Sequence, residues 1–141
     1  MKSQIISMTL ALVAAATFGS TLNAQSYQLS GTVPFAFHVG DKVYESGRYT
    51  ISETAPAMVP SLMNNSTHHS TFVPGAVASK SGNRDRKLVF HCYNGTQCYL
   101  AEIWPGNQQG ISIAMSKGEK QLVREGRREM AMIQVDLHVA D

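Results

Sequence analysis

The sequence predicts an all-β protein: an antiparallel sandwich or small barrel of about eight or nine strands, with one short helix near the C-terminus. Three observations carry this expectation. Short runs rich in Val, Ile, Phe, Tyr and Thr recur along the chain, separated by most of its 11 glycines and 5 prolines, and such punctuation marks short strands. Several of these runs alternate apolar and polar residues at period two, as a strand does when one face is buried. Asn94-Gly95 lies between two apolar runs, a strong short-range sign of a hairpin.

Residues 1–24 are unlike the rest. Lys2 precedes an apolar run over 5–18 that Ser7 and Thr9 barely interrupt, and Gly19, Ser20, Thr21, Leu22, Asn23 and Ala24 follow. A positive start, a short apolar stretch and a small final residue are the order of a secretory signal peptide. A helix that spans a bilayer needs about 20 predominantly apolar residues, more than this run supplies. The expected cut falls between Ala24 and Gln25; a cut after Ser26 is the alternative, because Leu22 is large for its place two residues upstream of Ala24. No cysteine stands near either position, so a lipid anchor is not expected. The reading is of a periplasmic or secreted protein whose residues 25–141 form a single β-rich domain, with no membrane anchor after signal removal.

Within that domain the strands follow in order. Residues 27–32 alternate weakly, and then Val33, Phe35, Phe37 and Val39 put large apolar groups on one face, with Pro34, Ala36 and His38 on the other. Pro34 cannot donate to a ladder and marks an edge or a strand start. Gly40-Asp41 turns the chain into a short strand over 42–44, Glu45-Ser46-Gly47 turns it again, and 48–53 form a strand with Tyr49 and Ile51 inward. Met58, Val59, Leu62 and Met63 are expected in one strand interrupted by Pro60, and 72–78 in another that Pro74-Gly75 bends. Polar loops over 64–70 and 79–87 flank the latter.

The run Leu88-Val89-Phe90-His91-Cys92-Tyr93 then meets Cys98-Tyr99-Leu100-Ala101-Glu102-Ile103-Trp104 across the Asn-Gly turn. With a loop of Asn94-Gly95-Thr96, Cys92 and Cys98 stand directly opposite each other, close enough for a structural disulfide. After Pro105-Gly106, Ile111, Ile113 and Met115 alternate with Ser112 and Ala114 as a further strand. Ser116 followed by Glu119 is a capping box that opens a helix expected to reach about residue 128, with Leu122 and Val123 as its apolar stripe. Gly118 and Gly126 each weaken it by roughly 1 kcal/mol relative to Ala. The last strand, 133–139, turns Ile133, Val135, Leu137 and Val139 inward, with a bulge near Met132.

The segment Val33-Pro34-Phe35-Ala36-Phe37-His38-Val39-Gly40, with Gly47-Arg48-Tyr49-Thr50-Ile51, resembles the opening of small secreted bacterial proteins that share a V-P-F-x-F-x-V-G then G-x-Y-x-[IV] pattern. Leu88-Val89-Phe90-His91, Tyr99-Leu100-Ala101-Glu102-Ile103-Trp104 and 116–122 look like later blocks of the same group. The resemblance implies a one-domain, β-rich exported protein and carries over no catalytic or binding residue. Cys92 and Cys98 depart from it, standing where that pattern has a basic and an aromatic residue.

Composition narrows the functional classes. The 12 Lys and Arg against 10 Asp and Glu give a net charge of +2, lowered to +1 when Lys2 leaves with the signal. The basic clusters at Lys80, Arg84, Arg86 and Lys87, and at Lys117, Lys120, Arg124, Arg127 and Arg128, are interleaved with acids, so no nucleic acid partner is expected. With 43% hydrophobic and 16% charged residues, the chain is no charged disordered tail.

Specific chemistry is sparse. Cys92 and Cys98 lack the C-x-x-C spacing of redox or zinc sites. His91 and Cys92 point to opposite faces of a strand and cannot form a thiol dyad. No G-x-S-x-G, H-E-x-x-H or phosphate loop occurs, so no catalytic residue is assigned. His68 and His69, with Met58, Met63, Met115, Met130 and Met132, allow a copper site, although loop histidines are commonly solvated and methionines commonly fill cores. Phe35, Phe37, Tyr49, Phe90 and Trp104, with Leu100, are expected on one inner face. Tyr27, Tyr44, Tyr93 and Tyr99 are read as the lining of an outer aromatic groove. The expectation is therefore a non-catalytic structural or interaction domain with no cofactor, meeting a protein partner through an exposed strand edge. A small-ligand or copper binder using a barrel mouth or the His68/His69 loop is the alternative.

Overall fold

Most of the expected strands form, but the longest runs are cut where the chain passes from one sheet to the other. The computed structural model describes residues 27–54, 59–74, 76–80, 84–107, 109–126 and 130–141, so the signal segment, the cut at Ala24 and Gln25, and Met58 lie outside the described residues. In chain order the elements are β1 (Gln28–Val33), β2 (Phe37–Val39), β3 (Lys42–Tyr44), β4 (Gly47–Thr54), β5 (Val59–Asn64), β6 (Ser70–Phe72), β7 (Ala76–Lys80), β8 (Arg86–Tyr93), β9 (Gln97–Pro105), β10 (Gln109–Ile113), α1 (Lys117–Arg124), β11 (Met130–Asp136) and β12 (His138–Val139). One sheet has the order β12-β1-β4-β5-β6 and the other β11-β8-β9-β10-β7. Along the side of β9 away from β8, the parallel strand β2 covers Cys98 and Tyr99 while β10 covers Glu102 and Ile103. β3 pairs with β2 beyond it.

The result is a two-sheet sandwich, not a closed barrel. Leu29, Val33, Tyr49, Ile51 and Leu62 from the first sheet meet Phe37, Val39, Leu88, Phe90, Leu100 and Ile103 from the second in one core. The described residues contain 12 strands, more than the sequence led us to expect, because three runs are divided at sandwich corners. The run 33–39 ends β1 in one sheet and resumes as β2 in the other, with Pro34 exposed at the break. Pro74 likewise stands between β6 and β7, and in both places the missing N–H ends a ladder. The last run divides at Leu137, whose N–H donates to the Arg86 carbonyl at 2.8 Å before β12 pairs with β1. Val139, expected inward, is therefore at the end of a sheet and 60% exposed, while Val135 and Leu137 are buried. Pro60, in contrast, interrupts nothing; it sits near the start of β5 opposite Glu53, and its carbonyl accepts the Val73 N–H at 2.9 Å.

A bulge lies elsewhere than expected. β11 runs against β8 without a break from Met130 opposite Tyr93 to Asp136 opposite Lys87, so there is none near Met132. The irregularity falls between β8 and β9, where Phe90 faces Leu100 but its neighbour Val89 faces Glu102. Ala101 is the extra residue, and it reverses the parity of everything after it. Leu100 and Ile103 both point into the core, and Trp104 is turned outward, contrary to the inner placement expected for it. There its indole donates to Glu102 Oε2 at 2.7 Å and lies over Gly110, where a Cβ would sit 2.5 Å from the ring. Only glycine leaves room for that ring.

The helix begins as expected and ends early. Ser116 Oγ accepts the Glu119 N–H at 3.1 Å. α1 stops at Arg124 rather than near 128, because Gly126 takes a φ of 74° just beyond it, a left-handed conformation that ends helices.

Across the β8–β9 turn, Asn94 and Gly95 both have positive φ, and Cys92 stands opposite Cys98 in a disulfide. Closing so short a loop is worth about 2 to 3 kcal/mol on the chain-entropy model. The Cys92→Ser/Cys98→Ser double variant is expected to lose about that much in urea unfolding at unchanged fold, with circular dichroism as the check on the fold.

Candidate functional site

α1 lies on the outer face of the second sheet, and the side chains beneath it form a connected polar group. Residues before and after each core position on β8 and β9 point outward, which places His91, Tyr93 and Tyr99 on this face. Leu122 of α1 packs on Tyr93 and Tyr99. Glu119 is 4% exposed, and its Oε1 accepts the Tyr93 hydroxyl at 2.9 Å. The expected capping residue thus serves a tertiary contact: its N–H takes the Ser116 cap, and its carboxylate fastens the helix to the sheet. His91 Nδ1 is 3.7 Å from the same oxygen, beyond hydrogen-bond length. On the far side the His38 ring stacks on Tyr99 at 4.4 Å, with its Nδ1 donating to the Cys98 carbonyl at 3.2 Å. Asp41 Oδ1 accepts the Gly118 N–H at 3.3 Å, tying the β2–β3 turn to the helix start.

These groups do not form an open site. Tyr93 is 2% and Tyr99 6% exposed, so the tyrosines expected in an outer groove are covered by the helix. Tyr27 and Tyr44 are on the inner side: both pack against the main core, and Tyr44 stacks on Phe37 at 5.7 Å. Burial raises the Tyr93 phenol from 10.0 to about 12, helped by its hydrogen bond to Glu119 and by that carboxylate's charge. Tyr99 is raised for the same first reason, with Glu119 and Asp41 adding to it.

A pH dependence follows from Tyr93. The folded protein keeps this proton up to about pH 12, whereas the unfolded chain releases it near 10.0. The phenol's contribution is whole below the lower value and is lost as pH rises toward the upper one, because only the unfolded state gains by ionising. Urea unfolding followed from pH 9 upward is expected to show falling stability, and the fall should be shallower in Tyr93→Phe. At neutral pH that variant is expected to be about 1 to 3 kcal/mol less stable, since Glu119 loses a buried donor.

The residues singled out for copper are dispersed. His68 and His69 are exposed in the β5–β6 turn, where His68 has a φ of 56°. Met63 lies opposite Thr50, on the outer face of the first sheet, whereas Met130 and Met132 lie opposite Tyr93 and His91, on the outer face of the second. Met115 is exposed before the helix. Among the described residues no group of three or more His, Cys, Asp or Glu side chains is placed to hold a metal ion. Phe90 and Ile103 are fully buried between the sheets, in a core to which both sheets contribute side chains.

What this face does leave open is its edge. β11 is the outermost strand of its sheet. Met130 is 45% and Met132 58% exposed, beside the helix-covered tyrosines. From Gln134 onward the strand borders a groove of about 500 Å³ that it shares with Ser30, Gly31, Thr32 and Pro34 of the first sheet's side. Sequence reasoning expected an exposed strand edge without placing it, and read 133–139 only for its inward face. Two methionines at period two, where a half-buried strand would carry polar residues, were the available signal. No helix among the described residues is long and apolar enough to cross a membrane. Comparison with known proteins finds no matching family model, curated protein or solved structure.

Proposed function

We propose that the protein is an exported, non-catalytic interaction domain that acts in the periplasm or outside the cell and meets a protein partner along the free edge of β11. The observation that carries this reading is the edge itself: a seven-residue strand that pairs with β8 on one side and, among the described residues, with no strand on the other, and that carries exposed methionines on its outer face. Such an edge is a ready template for another strand. The two-sheet sandwich, which has no barrel mouth, and the helix-covered tyrosines favour a surface role over a ligand held in a barrel mouth. The signal-like residues 1–24 and the Cys92–Cys98 disulfide support export, because such bonds persist in oxidising compartments.

A photo-crosslinking side chain placed at Met132, in protein expressed in its own host, tests the reading. Adducts with protein are expected there and not at Phe72, which is 70% exposed in the other sheet. Equal labelling at the two positions, or none at either, would remove the support for an interaction edge. N-terminal sequencing of the same material should find Gln25 or Tyr27 first, and Met1 would contradict export.

A further inference from the structure

We infer that the partner strand at this edge is β11 of a second copy of the chain, paired antiparallel about a two-fold axis at Met132; this rests on the interaction reading above. The other sheet edges carry features that discourage pairing. β6 has three residues and β12 two. β3 is equally short and begins with Lys42, and β7 follows Pro74 and ends in Lys80. β11 has none of these: from Met130 to Gln134 it contains no charge, no proline and no register break.

The same stretch complements itself. In an antiparallel pair, residues opposite one another share a face, so their numbers must differ by an even amount. Centring on Met132 puts Met132 against Met132 of the second copy, Met130 against Gln134, and Ala131 against Ile133. The methionines then cover one another on the outer face, and Ala131 and the half-buried Ile133 extend the core across the junction. Asp136, the strand's one ionisable side chain, lies beyond the paired residues, so no like charges are opposed. This register also stops at Gln134, where β11 begins to line the groove it shares with β1. A pair of short strands buries a small area, in the class of weak interfaces below about 1,200 Å², so the dimer should be reversible and concentration-dependent.

Both native cysteines are bonded to each other, so an added cysteine is a single free thiol. Mature protein carrying Met132→Cys is expected to form a covalent dimer on mild oxidation. Met130→Cys protein alone should not, but mixed with Gln134→Cys protein it should give the mixed dimer. Sedimentation velocity of the unmodified protein should show a dimer that grows with concentration and is lost in Met132→Lys, whose melting temperature checks that this exposed substitution leaves the fold intact. Self-linking by Met130→Cys would indicate parallel pairing or an antiparallel register centred elsewhere, and either would overturn the proposal. So would a protein that stays monomeric at every concentration and gives no Met132→Cys link. If that monomer is still photo-crosslinked at Met132 to a different protein, the interaction reading stands and only the second copy is excluded; with no adduct, both fall.

Discussion

A chain ending at Arg128 is expected to aggregate or to remain unfolded. The cut removes β11 and β12, which belong to different sheets, so it uncovers β8 along seven residues and β1 at Leu29 and Ser30. It also takes Val135 and Leu137 out of the core, together with the half-buried Ile133. Full burial of such a side chain is worth roughly 1.5 to 3 kcal/mol. Two of them, with the lost ladders, approach the roughly 5 to 15 kcal/mol that hold a domain folded. Val139 adds little, being 60% exposed. Size-exclusion chromatography and thermal melting of the fragment decide the matter, and a soluble, cooperatively melting product would show that the C-terminal strands are dispensable.

The second large effect is expected from Phe37→Ala. Phe37 is 1% exposed and lies within 5.1 to 5.7 Å of Tyr44, Tyr49 and Phe90, ring centre to ring centre. Tyr49 belongs to one sheet and Phe90 to the other, so this ring joins the two layers at the place where β2 enters the second sheet. Its loss leaves a cavity among three aromatic rings that β-strands hold in place. Substitutions of this kind cost about 3 to 5 kcal/mol. The urea midpoint should fall accordingly, while Phe72→Ala, at a position 70% exposed, should stay within about 0.5 kcal/mol of the parent. Equal effects at the two positions would mean that the core is not organised around Phe37.

The placement of Phe37 was readable from alternation, which survives the break at Pro34, and so were those of Tyr49 and Ile51, which lie in the unbroken strand β4. Trp104 was misread for a definite reason. Alternation carried from Leu100 predicts Trp104 on the same face, and one unpaired residue, Ala101, reverses that. A bulge of this kind is set by how β9 fits β8, and Ala101 itself has nothing in its chemistry that marks it. Pro34 and Pro74 did announce the breaks at two corners. The third corner, at Leu137, had no local mark: Ile133, Val135, Leu137 and Val139 alternate without fault, although the chain changes sheets among them.

The candidate interaction edge shows the same division. Glu119 was legible as a helix-start residue, since a capping box is a contact between near neighbours. That its carboxylate receives Tyr93, 26 residues away, depends on where α1 lands on the second sheet. The sequence by itself determined the strand-rich class, the hairpin at Asn94-Gly95 with its facing cysteines, and the cap at Ser116. Each of these rests on residues a few positions apart, whose geometry the chain's own bonds dictate. Only the tertiary structure decided which sheet each strand joins, that the helix covers Tyr93 and Tyr99, and that β11 is the outermost described strand of its sheet. Those outcomes come from the pairing of segments distant in sequence, where burial shared between two sheets outweighs any local preference.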